Sequence, residues 1–391
     1  MTGHGKPAGD PGERHARAAL SFLADPGDPV LGELLRHCPP ADVVAAVAAA
    51  GSWREALPAS SRQVPGLDRA FARWRSRVGE VPPGRRIAAW ERAGYRLVGP
   101  GDPEWPTQLD DLGTARPVVL WLCGPADLRY SCLRSVSIVG SRAASAYGAH
   151  VAGEIAADLA GRGWTVVSGG AYGIDASAHR GALAPGGSTV AVLASGLGFG
   201  YPKGHYELFE AIAGSGALVS ESPPDRAPTR PGFLIRNRVI AALSRGTVVV
   251  EAALRSGALN TARQASDLGR VVMAVPGPVT SDRSAGCHEL IRQWGAACVT
   301  CAQDVTELLA PLGEDQGQGP DRGPVVPASE LDPVTRAVLA AVPRRPGRGP
   351  AAIALMAGVG LDTAVRCLGL LAAAGHVERC EQGWRARRSP R

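Results

Sequence analysis

Apolar positions divide the chain into segments with different periods. Over residues 16–85 they recur every three or four positions, as in Ala18 and Phe22 or Leu31 and Leu34, and glycine and proline break the pattern. This spacing predicts a small domain of short helices. The next segment, 102–130, contains Trp105-Pro106 and the apolar run 118–122, and it predicts an extended lead-in to a second domain.

Residues 135–312 alternate short runs rich in Val and Ile with Ala-rich stretches. Such alternation is typical of βαβ units around a parallel sheet. Two of the Ala-rich stretches, 150–160 and 175–183, have the length of crossover helices. The six predicted strands are 136–139, 165–167, 189–193, 217–219, 247–250 and 271–275. The sequence therefore predicts a doubly wound, Rossmann-like α/β domain.

The remainder of the chain begins with a segment, 313–329, that is rich in Gly, Pro, Gln and Asp and predicts a linker. Three helical patterns follow, and then a hairpin over 376–388 that turns at Gln382-Gly383. This outline predicts a winged helix. The helical patterns cover 331–342, 350–357 and 362–374. The predicted domains are 16–85, 86–312 and 330–391, joined by the linker 313–329.

Composition is that of a soluble globular protein, with 45% hydrophobic and 20% charged residues. No run of about 18 apolar residues is present, and the N-terminus lacks the apolar core of a secretory signal, so we expect a cytoplasmic protein. Eight scattered cysteines predict reduced, buried side chains. The nearest approach to a ligand pair is Cys298 and Cys301, and we expect neither a metal nor a cofactor.

The net charge of +6 and the pI of about 9.0 favour a polyanionic partner. Arginine supplies 40 of the 42 basic residues, and the lysines are Lys6 and Lys203. A lysine in so lysine-poor a chain suggests a specific role for Lys203.

Almost every predicted strand of the middle domain is followed by Gly or Ser. The carboxyl ends of parallel strands form one rim where ligands bind, and glycine lets the backbone approach a ligand closely. Helix N-termini at that rim attract phosphate. The segments concerned are Gly140-Ser141, Ser168-Gly169-Gly170, Ser195-Gly196, Ser220-Glu221 and Pro276-Gly277. A phosphate-bearing ligand is predicted, although neither the dinucleotide fingerprint nor a Walker lysine motif is present.

Two basic positions are candidates for the anion contact. Arg142 follows the first rim glycine, where its guanidinium could complete an anion site, or it could be an ordinary surface arginine. The segment Arg236-Asn237-Arg238 precedes an apolar helical run at 239–243 and suits phosphates and base edges. An ion pair with Glu221 or Glu251 is the alternative for these arginines, and both interpretations are compatible.

Asp175 and His179 lie four residues apart and thus on one helical face. They could be catalytic or bind a metal, but Asp175 sits at a helix start, where a carboxylate accepts backbone N–H bonds. No nucleophile or further ligand accompanies the pair, so the structural interpretation is preferred.

The motifs of the middle domain resemble the DprA/Smf family, in the order that the family has them. The match extends more weakly to the N-terminal helical segment, to 102–106 and to the predicted winged helix. The matching segments are 138–142 (IVGSR), Tyr147-Gly148, 168–175 (SGGAYGID), Ala178-His179, 181–183, Tyr201-Pro202, Ser220-Glu221, 233–238, Glu251-Ala252, Ser256-Gly257 and 275–277.

The resemblance implies a non-enzymatic protein that binds single-stranded DNA largely without sequence preference, protects it and helps load the recombinase RecA in natural transformation. It also implies an N-terminal domain like SAM or helix-hairpin-helix modules and a homodimer formed through the Rossmann-like domain. The DNA-binding residues expected from the motifs are Gly140, Ser141, Arg142, Tyr147, Ser168, Gly169, Gly170, Lys203, Arg236, Asn237, Arg238, Ser256 and Gly257.

Two positions depart from the family pattern. Tyr172 stands where arginine is common, and Asn260 where a hydrophobic residue is common. The first change removes a positive charge from the rim and could supply a stacking surface instead, so DNA affinity is the property most in question. Because aromatic residues are only 5% of the chain, electrostatics should outweigh stacking and binding should fall steeply with salt.

Two other functions compete with this one. Rossmann-like nucleotide phosphoribohydrolases also carry Ser-Gly-Gly after a strand. Their second motif is similar to Gly246-Thr247 with Glu251. In those enzymes Pro-Gly-Gly precedes this second motif, and it is missing here. A transcription regulator would read duplex DNA through the helix predicted at 362–374, which has only Arg366 as a basic residue. A protein contact fits that helix better.

Overall fold

The computed structural model describes residues 11–309, 331–344, 347–373, 376–380 and 383–386. The chain divides into two compact units, Met1–Pro311 and Leu312–Arg391. The helical segment and the sheet lie in the first unit. The predicted linker, 313–329, lies wholly outside the described residues.

Short helices occupy the start of the first unit, as the apolar pattern predicted. They pack around a core that includes Leu34 and Trp74, and the carboxylate of Asp28 caps α2 by accepting from Val30 N and Leu31 N. The boundary at 85/86 and the likeness to SAM or helix-hairpin-helix modules stay predictions. The helices are α1 (Pro11–Leu23), α2 (Pro29–Leu34), α3 (Pro40–Ala48), α4 (Trp53–Ala56), α5 (Leu67–Ser76) and α6 (Gly84–Arg92).

A nine-stranded sheet follows, in the spatial order β1-β2-β6-β5-β4-β3-β7-β8-β9. The pairs β1/β2 and β2/β6 are antiparallel, and all other pairs are parallel. The strands are β1 (Arg96–Val98), β2 (Leu120–Cys123), β3 (Ser135–Val139), β4 (Thr165–Ser168), β5 (Thr189–Leu193), β6 (Ala217–Ser220), β7 (Gly246–Val249), β8 (Val271–Ala274) and β9 (Ala297–Cys298).

All six predicted strands are confirmed, as β3 to β8. The predicted lead-in run 118–122 overlaps β2, which joins the sheet by pairing Leu122 with Val219. The strands β1 and β9 were not predicted. They have three and two residues, too few for a periodic pattern to develop.

Helices cover both faces of the sheet, so the fold is doubly wound as predicted. One apolar core contains residues of α11 and α12, and the other contains residues of α8, α9 and α14. The helices are α7 (Leu128–Leu133), α8 (Ala146–Gly161), α9 (Ile174–Leu183), α10 (Tyr206–Ser215), α11 (Arg230–Leu243), α12 (Gly257–Asp267), α13 (Ala285–Gln293) and α14 (Ala302–Leu309). Short 3-10 turns lie at Thr107–Ala115, Leu197–Phe199 and Lys203–His205.

The strand order reverses at β3. Successive strands from β3 to β6 are laid down on one side of it, and β7 to β9 on the other. In open α/β sheets such a reversal creates a crevice at the carboxyl ends of the two strands concerned. Here that crevice lies between the loops after β3 and β7.

The described residues of the second unit form three helices and a two-stranded antiparallel ribbon, which are the predicted elements. Their core includes Val338, Ile353 and Leu368. The winged-helix assignment itself stays a prediction, and Gln382 of the expected turn lies outside the described residues. The elements are α15 (Pro333–Ala341), α16 (Pro350–Ala357), α17 (Leu361–Ala373), β10 (Val377–Cys380) and β11 (Gly383–Ala386).

Among the described residues, no single helix has the length and apolar character to cross a membrane. One pair of helices, Pro350–Ala357 with Leu361–Leu371, meets those criteria of length and composition jointly, with a bend of 104° between them.

Candidate nucleic-acid interface

The carboxyl ends of the parallel strands form a rim made of loops and helix starts. The loops are 140–145 after β3, 169–173 after β4, 194–205 after β5, 221–229 after β6, 250–256 after β7 and 275–284 after β8. The helices α8, α9, α11 and α12 begin at or just after rim loops, so the positive ends of their dipoles lie on this side of the sheet. The rim is therefore electropositive before any side chain is counted.

A cleft opens in the rim at the ends of β4 and β5. It encloses about 360 Å³ of empty space, its open mouth included. The guanidinium of Arg142 lies 4.7 Å from the ring centroid of Phe233, in a cation–π contact. Arg142 is exposed and forms no ion pair with the residues that the structure describes. The lining residues are Arg142, Gly169, Gly170, Ala171, Tyr172, Ala194, Ser195, Tyr201, Pro202 and Phe233.

Aromatic rings gather around this cleft. Tyr172 is 49% exposed and packs edge-on against the buried ring of His205, with centroids 4.5 Å apart. The rings of Tyr201 and Phe233 lie 5.7 Å apart. The chain is poor in aromatic residues, but the fold concentrates exposed ones where a nucleic acid base could stack. Composition gave no sign of this clustering.

The rim glycines are needed mainly for packing within the protein. A Cβ atom on Gly169 would lie 2.5 Å from the Arg236 guanidinium, and one on Gly140 would lie 2.6 Å from the Ile174 side chain. Gly170 has a φ of +66°, which favours glycine. The sequence predicted that a ligand would approach the backbone closely at these glycines. At Gly140 and Gly169, neighbouring protein groups occupy that position instead. Gly257, by contrast, is exposed and has open space beside it.

The hydroxyl groups predicted for the site bond within the protein. Ser168 Oγ is buried and donates to the Ile138 carbonyl at 2.6 Å, and Ser141 Oγ accepts from Ala143 N. The side chain of Ser256 caps α12. Tyr147 is exposed at its ring but donates its phenolic proton to the Pro276 carbonyl at 2.7 Å, and partial burial raises the pKa of this phenol. These contacts fix the shape of the rim loops.

The segment Arg236-Asn237-Arg238 does not precede a helix, as the sequence analysis expected, but lies inside α11. The helix begins at Arg230, where Thr229 accepts from Gly232 N and Pro231 occupies the first turn. All three side chains are consequently buried. A threonine cap followed by proline is a recognisable start signal, and it was overlooked.

Arg236 extends under the rim, where its guanidinium donates to the carbonyls of Gly169, at 2.7 Å, and Val192. Burial lowers the pKa of Arg236 to about 10, and the nearby carboxylate of Asp175 opposes that shift. Arg236 therefore remains charged at neutral pH and ties the end of β5 to the turn after β4.

Arg238 forms an ion pair with Glu221, which was the alternative interpretation of this segment. Its guanidinium is bound in a bidentate manner by the Glu221 carboxylate, at 2.6 and 2.7 Å, and both side chains are 8% exposed. It also donates to the Ala115 carbonyl and lies close against Gly27 in the loop between α1 and α2. Arg238 thus joins the sheet domain to the N-terminal helices.

Asn237 bonds to the Gly257 carbonyl and to Asn260 Oδ1, both at 3.2 Å, which gives Asn260 a structural role.

Glu251 joins the two loops of the crevice. Its carboxylate accepts from the backbone N–H of Ser145 at 2.9 Å and from the Ser145 hydroxyl at 2.5 Å, and its carbonyl accepts from Ser141 N at 2.7 Å. Glu251 is buried beneath Gly148, where a Cβ atom would lie 2.4 Å from the carboxylate. The crevice at β3 and β7 is therefore closed by internal hydrogen bonds, and the open cleft lies at β4 and β5.

Asp175 and His179 are both buried and occupied by internal hydrogen bonds. Asp175 accepts from the backbone N–H groups of Gly169 and Ala171, and burial raises its pKa. His179 bonds through Nδ1 to Thr189 at 2.8 Å, and burial lowers its pKa to about 3. Asp175 holds the turn after β4 and His179 is bound to the first residue of β5, in line with the structural interpretation.

Other exposed cations line the rim, and they were not predicted from the sequence. Arg230, Arg255 and Arg283 stand in or beside the loops after β6, β7 and β8, and like Lys203 they are exposed without an ion pair in the part of the chain that the structure describes. Asp282 is an exposed carboxylate beside Arg283 and offsets its charge. Their positions after predicted strands could have identified these cations as rim residues from the sequence.

In strand order, the exposed cations form a row: Arg230 at β6, Lys203 at β5, Arg142 at β3, Arg255 at β7 and Arg283 at β8. Six neighbouring strands at about 4.8 Å spacing span roughly 24 Å. Tyr172 occupies the β4 position in this row. We refer to these five cations and Tyr172 as the rim track.

The described residues contain no group of three or more His, Cys, Asp or Glu side chains arranged to hold a metal ion. Cys298 and Cys301 are exposed and unpaired with each other. Cys287 is buried, and its burial raises the thiol pKa to about 12.

The sequence model of DNA recombination-mediator protein A matches residues 96–310. A DprA homologue of Mycobacterium tuberculosis is 48% identical over 311 residues, which are 76% of this chain and 78% of that protein. The DNA processing protein DprA of Bacillus subtilis is 36% identical over 225 residues, 58% of this chain and 75% of its own. The crystal structure of DNA processing protein A from Streptococcus pneumoniae superposes with a TM-score of 0.61 at 31% identity, covering 76% of this chain and 98% of that one.

Proposed function

Because the chain belongs to the DprA/Smf family of DNA recombination-mediator proteins, we propose that it binds single-stranded DNA along the rim track. The observation that carries this proposal is the row of exposed cations beside an aromatic cleft, which form no ion pair within the described part of the chain. Cations neutralise the phosphates of a strand, and aromatic faces stack with its unpaired bases whatever their identity. A duplex offers no unstacked base to such a cleft, so single strands should be preferred.

The expected DNA contacts divide into two groups. Arg142, Lys203, Tyr147 and Gly257 are exposed, and we propose that they touch the strand directly, together with Arg230 and Arg255. The buried members of the predicted set act by holding the rim in shape. These are Gly140, Ser141, Ser168, Gly169, Gly170, Arg236, Asn237, Arg238 and Ser256, of which Gly140, Ser141 and Ser256 are only partly buried.

As part of the same proposal, the protein acts in the cytoplasm without catalysing a reaction or using a cofactor. It protects incoming single strands and helps load a RecA-type recombinase in natural transformation, as a homodimer formed through the Rossmann-like domain. The second unit contacts a partner protein. Deleting residues 331–391 without losing any partner contact would contradict that last role.

A salt titration of oligonucleotide binding tests the DNA-binding proposal. The protein should bind a fluorescent single strand more tightly than a duplex, and the logarithm of affinity should fall linearly with the logarithm of salt concentration. Arg142→Ala and Lys203→Ala should each lower affinity and reduce the salt slope by about 0.7, the value for one single-strand phosphate contact.

The matched control is Arg162→Ala, which removes an exposed arginine at the opposite end of α8 and should change neither quantity. AMP and NAD serve as competitors. Displacement of the oligonucleotide by either of them, or the absence of single-strand binding, would favour a nucleotide-processing enzyme instead.

A further inference from the structure

Helix α16 of the second unit has no polar face. All eight of its residues, Pro350–Ala357, are apolar. A helix that is apolar all round is normally buried on every side, but in α16 only Ile353 and Ala354 are buried. Leu355 and Met356 are 84% and 58% exposed. The described residues of the second unit therefore leave an apolar helix face uncovered.

The uncovered face continues onto the next helix. After the turn at 358–360 the chain direction changes by 104°, and α17 begins with Leu361, which is 49% exposed. Val365 follows one turn later and is 51% exposed. The other side of α17 packs into the core of the unit through Leu368 and Leu371. We refer to the four exposed side chains as the apolar elbow: Leu355, Met356, Leu361 and Val365.

The size of the apolar elbow limits what can cover it. Four side chains that are about half exposed or more amount to a few hundred Å² of apolar surface, the size at which an exposed patch on a monomer is often functional. A stable dimer buries about 800 Å² on each partner, so the elbow is too small to hold two copies of the chain together. An amphipathic helix fits better, because it presents a single row of apolar side chains.

Cations stand beside the apolar elbow. The guanidinium of Arg348 contacts the sulfur of Met356, and Arg366 adjoins the elbow on α17. Both arginines are exposed, and neither forms an ion pair with the residues that the structure describes. Asp362, at the start of α17, is an exposed carboxylate and offsets one of the two charges. A surface that complements the elbow therefore combines apolar side chains with a net negative charge.

We propose that the apolar elbow docks an acidic amphipathic helix of a partner protein. Apolar side chains spaced three and four residues apart on that helix pack against the elbow, and its carboxylates lie near Arg348 and Arg366. The inference rests on the partner contact proposed for the second unit, and it specifies the surface and the chemistry of the partner. It does not involve the rim track, which lies in the first unit.

The test uses the full-length protein and a fluorescein-labelled helical peptide with leucine at every third or fourth position and glutamate elsewhere. The peptide should bind, as measured by fluorescence anisotropy, and its affinity should fall with salt concentration. A peptide with the same leucines but lysine in place of glutamate should bind at least about tenfold more weakly, because its charges repel Arg348 and Arg366. An acidic peptide with the same residues in shuffled order should also bind more weakly, since it has no apolar face.

Leu355→Ser and Val365→Ser should each weaken binding of the acidic peptide at least about fivefold, as truncation of a central interface residue does. Val334→Ser is the matched control, since Val334 is 43% exposed on α15 of the same unit but does not belong to the apolar elbow. It should leave peptide binding unchanged. All three substitutions replace exposed side chains, so the midpoint of urea denaturation and the binding of an oligothymidine should match those of the wild type.

Four results would overturn the inference. The first is absence of acidic-peptide binding or equal binding of the basic peptide, and the second is binding that survives in Leu355→Ser and Val365→Ser. The third is self-association that these two substitutions abolish, measured by analytical ultracentrifugation, because a second copy would then cover the elbow. The fourth is cosedimentation with phosphatidylglycerol vesicles that they abolish, because a membrane surface would then cover it.

The same measurements separate this inference from the proposed function. Peptide binding that requires residues 331–391 but not the apolar elbow would overturn the inference and keep the partner role of the second unit. Failure of the wild type to bind an oligothymidine would contradict the DNA-binding proposal and leave the inference standing.

Discussion

Burial divides the arginines near the rim into two groups. Arg142 and Arg230 are exposed and form no ion pair with any described residue, whereas Arg236 and Arg238 are buried against carbonyls and a carboxylate. A planar group with five donors suits both positions, because it can satisfy several internal acceptors or grip a phosphate. The residue type alone therefore did not distinguish an arginine proposed to contact DNA from a buried arginine that stabilises the fold.

The buried pair of Glu221 and Arg238 leads to a prediction about stability. Glu221→Ala leaves a buried guanidinium without its partner and should lower the free energy of unfolding by about 3–5 kcal/mol, measured by urea denaturation. The double variant Glu221→Leu/Arg238→Met removes both charges and should recover much of that loss. Glu289→Ala, which breaks an exposed pair with Arg292, should cost no more than about 0.5 kcal/mol. A loss of similar size in both single variants would contradict this account.

Buried His179 leads to a prediction about pH. Its pKa of about 3 in the folded protein lies below the unfolded value of about 6.5, so the unfolded chain binds the proton first as pH falls. The stabilising contribution is complete above about pH 6.5 and is lost progressively between that pH and about 3, by about 1.4 kcal/mol per pH unit. Urea denaturation of the wild type and His179→Gln at pH 7 and pH 5 measures it. The wild type should lose roughly 2 kcal/mol more than the variant over this interval, and equal losses would contradict the prediction.

At the scale of single elements, the turn after β4 depends on glycine for two separate reasons. Gly173 has a φ of +78°, and a Cβ atom there would lie 2.2 Å from the Ser141 carbonyl oxygen. Gly186 has nearly the same φ, +77°, with no atom within 4 Å of the corresponding position. Gly186 therefore serves as the comparison for a positive φ alone, whereas Gly173 also has a ψ of −125° and the steric overlap.

Gly186→Ala should therefore lower the free energy of unfolding by about 1 kcal/mol, the cost of a left-handed conformation in a residue with a side chain. Gly173→Ala should cost several kcal/mol and should also weaken oligonucleotide binding, because the loop that carries Arg142 must move. Equal destabilisation of the two variants, measured by urea denaturation, would contradict this expectation.

Helix α11 shows where sequence reasoning succeeds and where it fails at this scale. The apolar run at 239–243 correctly indicated a helix, but the helix begins at Arg230 and includes the polar segment Arg236-Asn237-Arg238, which the prediction placed before it. Those polar side chains point into the protein, where carbonyls, Glu221 and Asn260 satisfy them. A hydrophobicity pattern cannot reveal a helix face that is buried through hydrogen bonds, whereas the cap at Thr229 could have done so.

At the scale of the whole molecule, the rim track lies entirely in the first compact unit. A fragment of residues 1–311 should consequently fold and bind an oligothymidine within about twofold of the full chain at the same salt concentration, since the same phosphate contacts are available to it. Fluorescence anisotropy at two salt concentrations measures this. A much larger loss of affinity would show that the second unit takes part in binding.

The strands of the sheet were predictable, but their order was not. Val- and Ile-rich runs of four or five residues mark β3 to β8, because strands buried on both faces are almost continuously apolar. The placement of β7 beside β3, and of β2 beside β6, depends on contacts between residues about 100 positions apart, which no local pattern records. The aromatic cleft was missed for the same reason, since Tyr172, Tyr201 and Phe233 meet only after the sheet has formed.

The reversal of strand order at β3 also affects how the protein is made. During synthesis β3 can pair with β4 on one side as soon as that strand emerges, but its other edge must wait for β7, after residues 140–245 have been added. At about 5–20 residues per second this takes on the order of 5–20 s. Throughout that time an apolar strand at the centre of the future sheet presents an open edge to other nascent chains. The ribosome-bound intermediate, more than the finished protein, is therefore the species that most needs a chaperone.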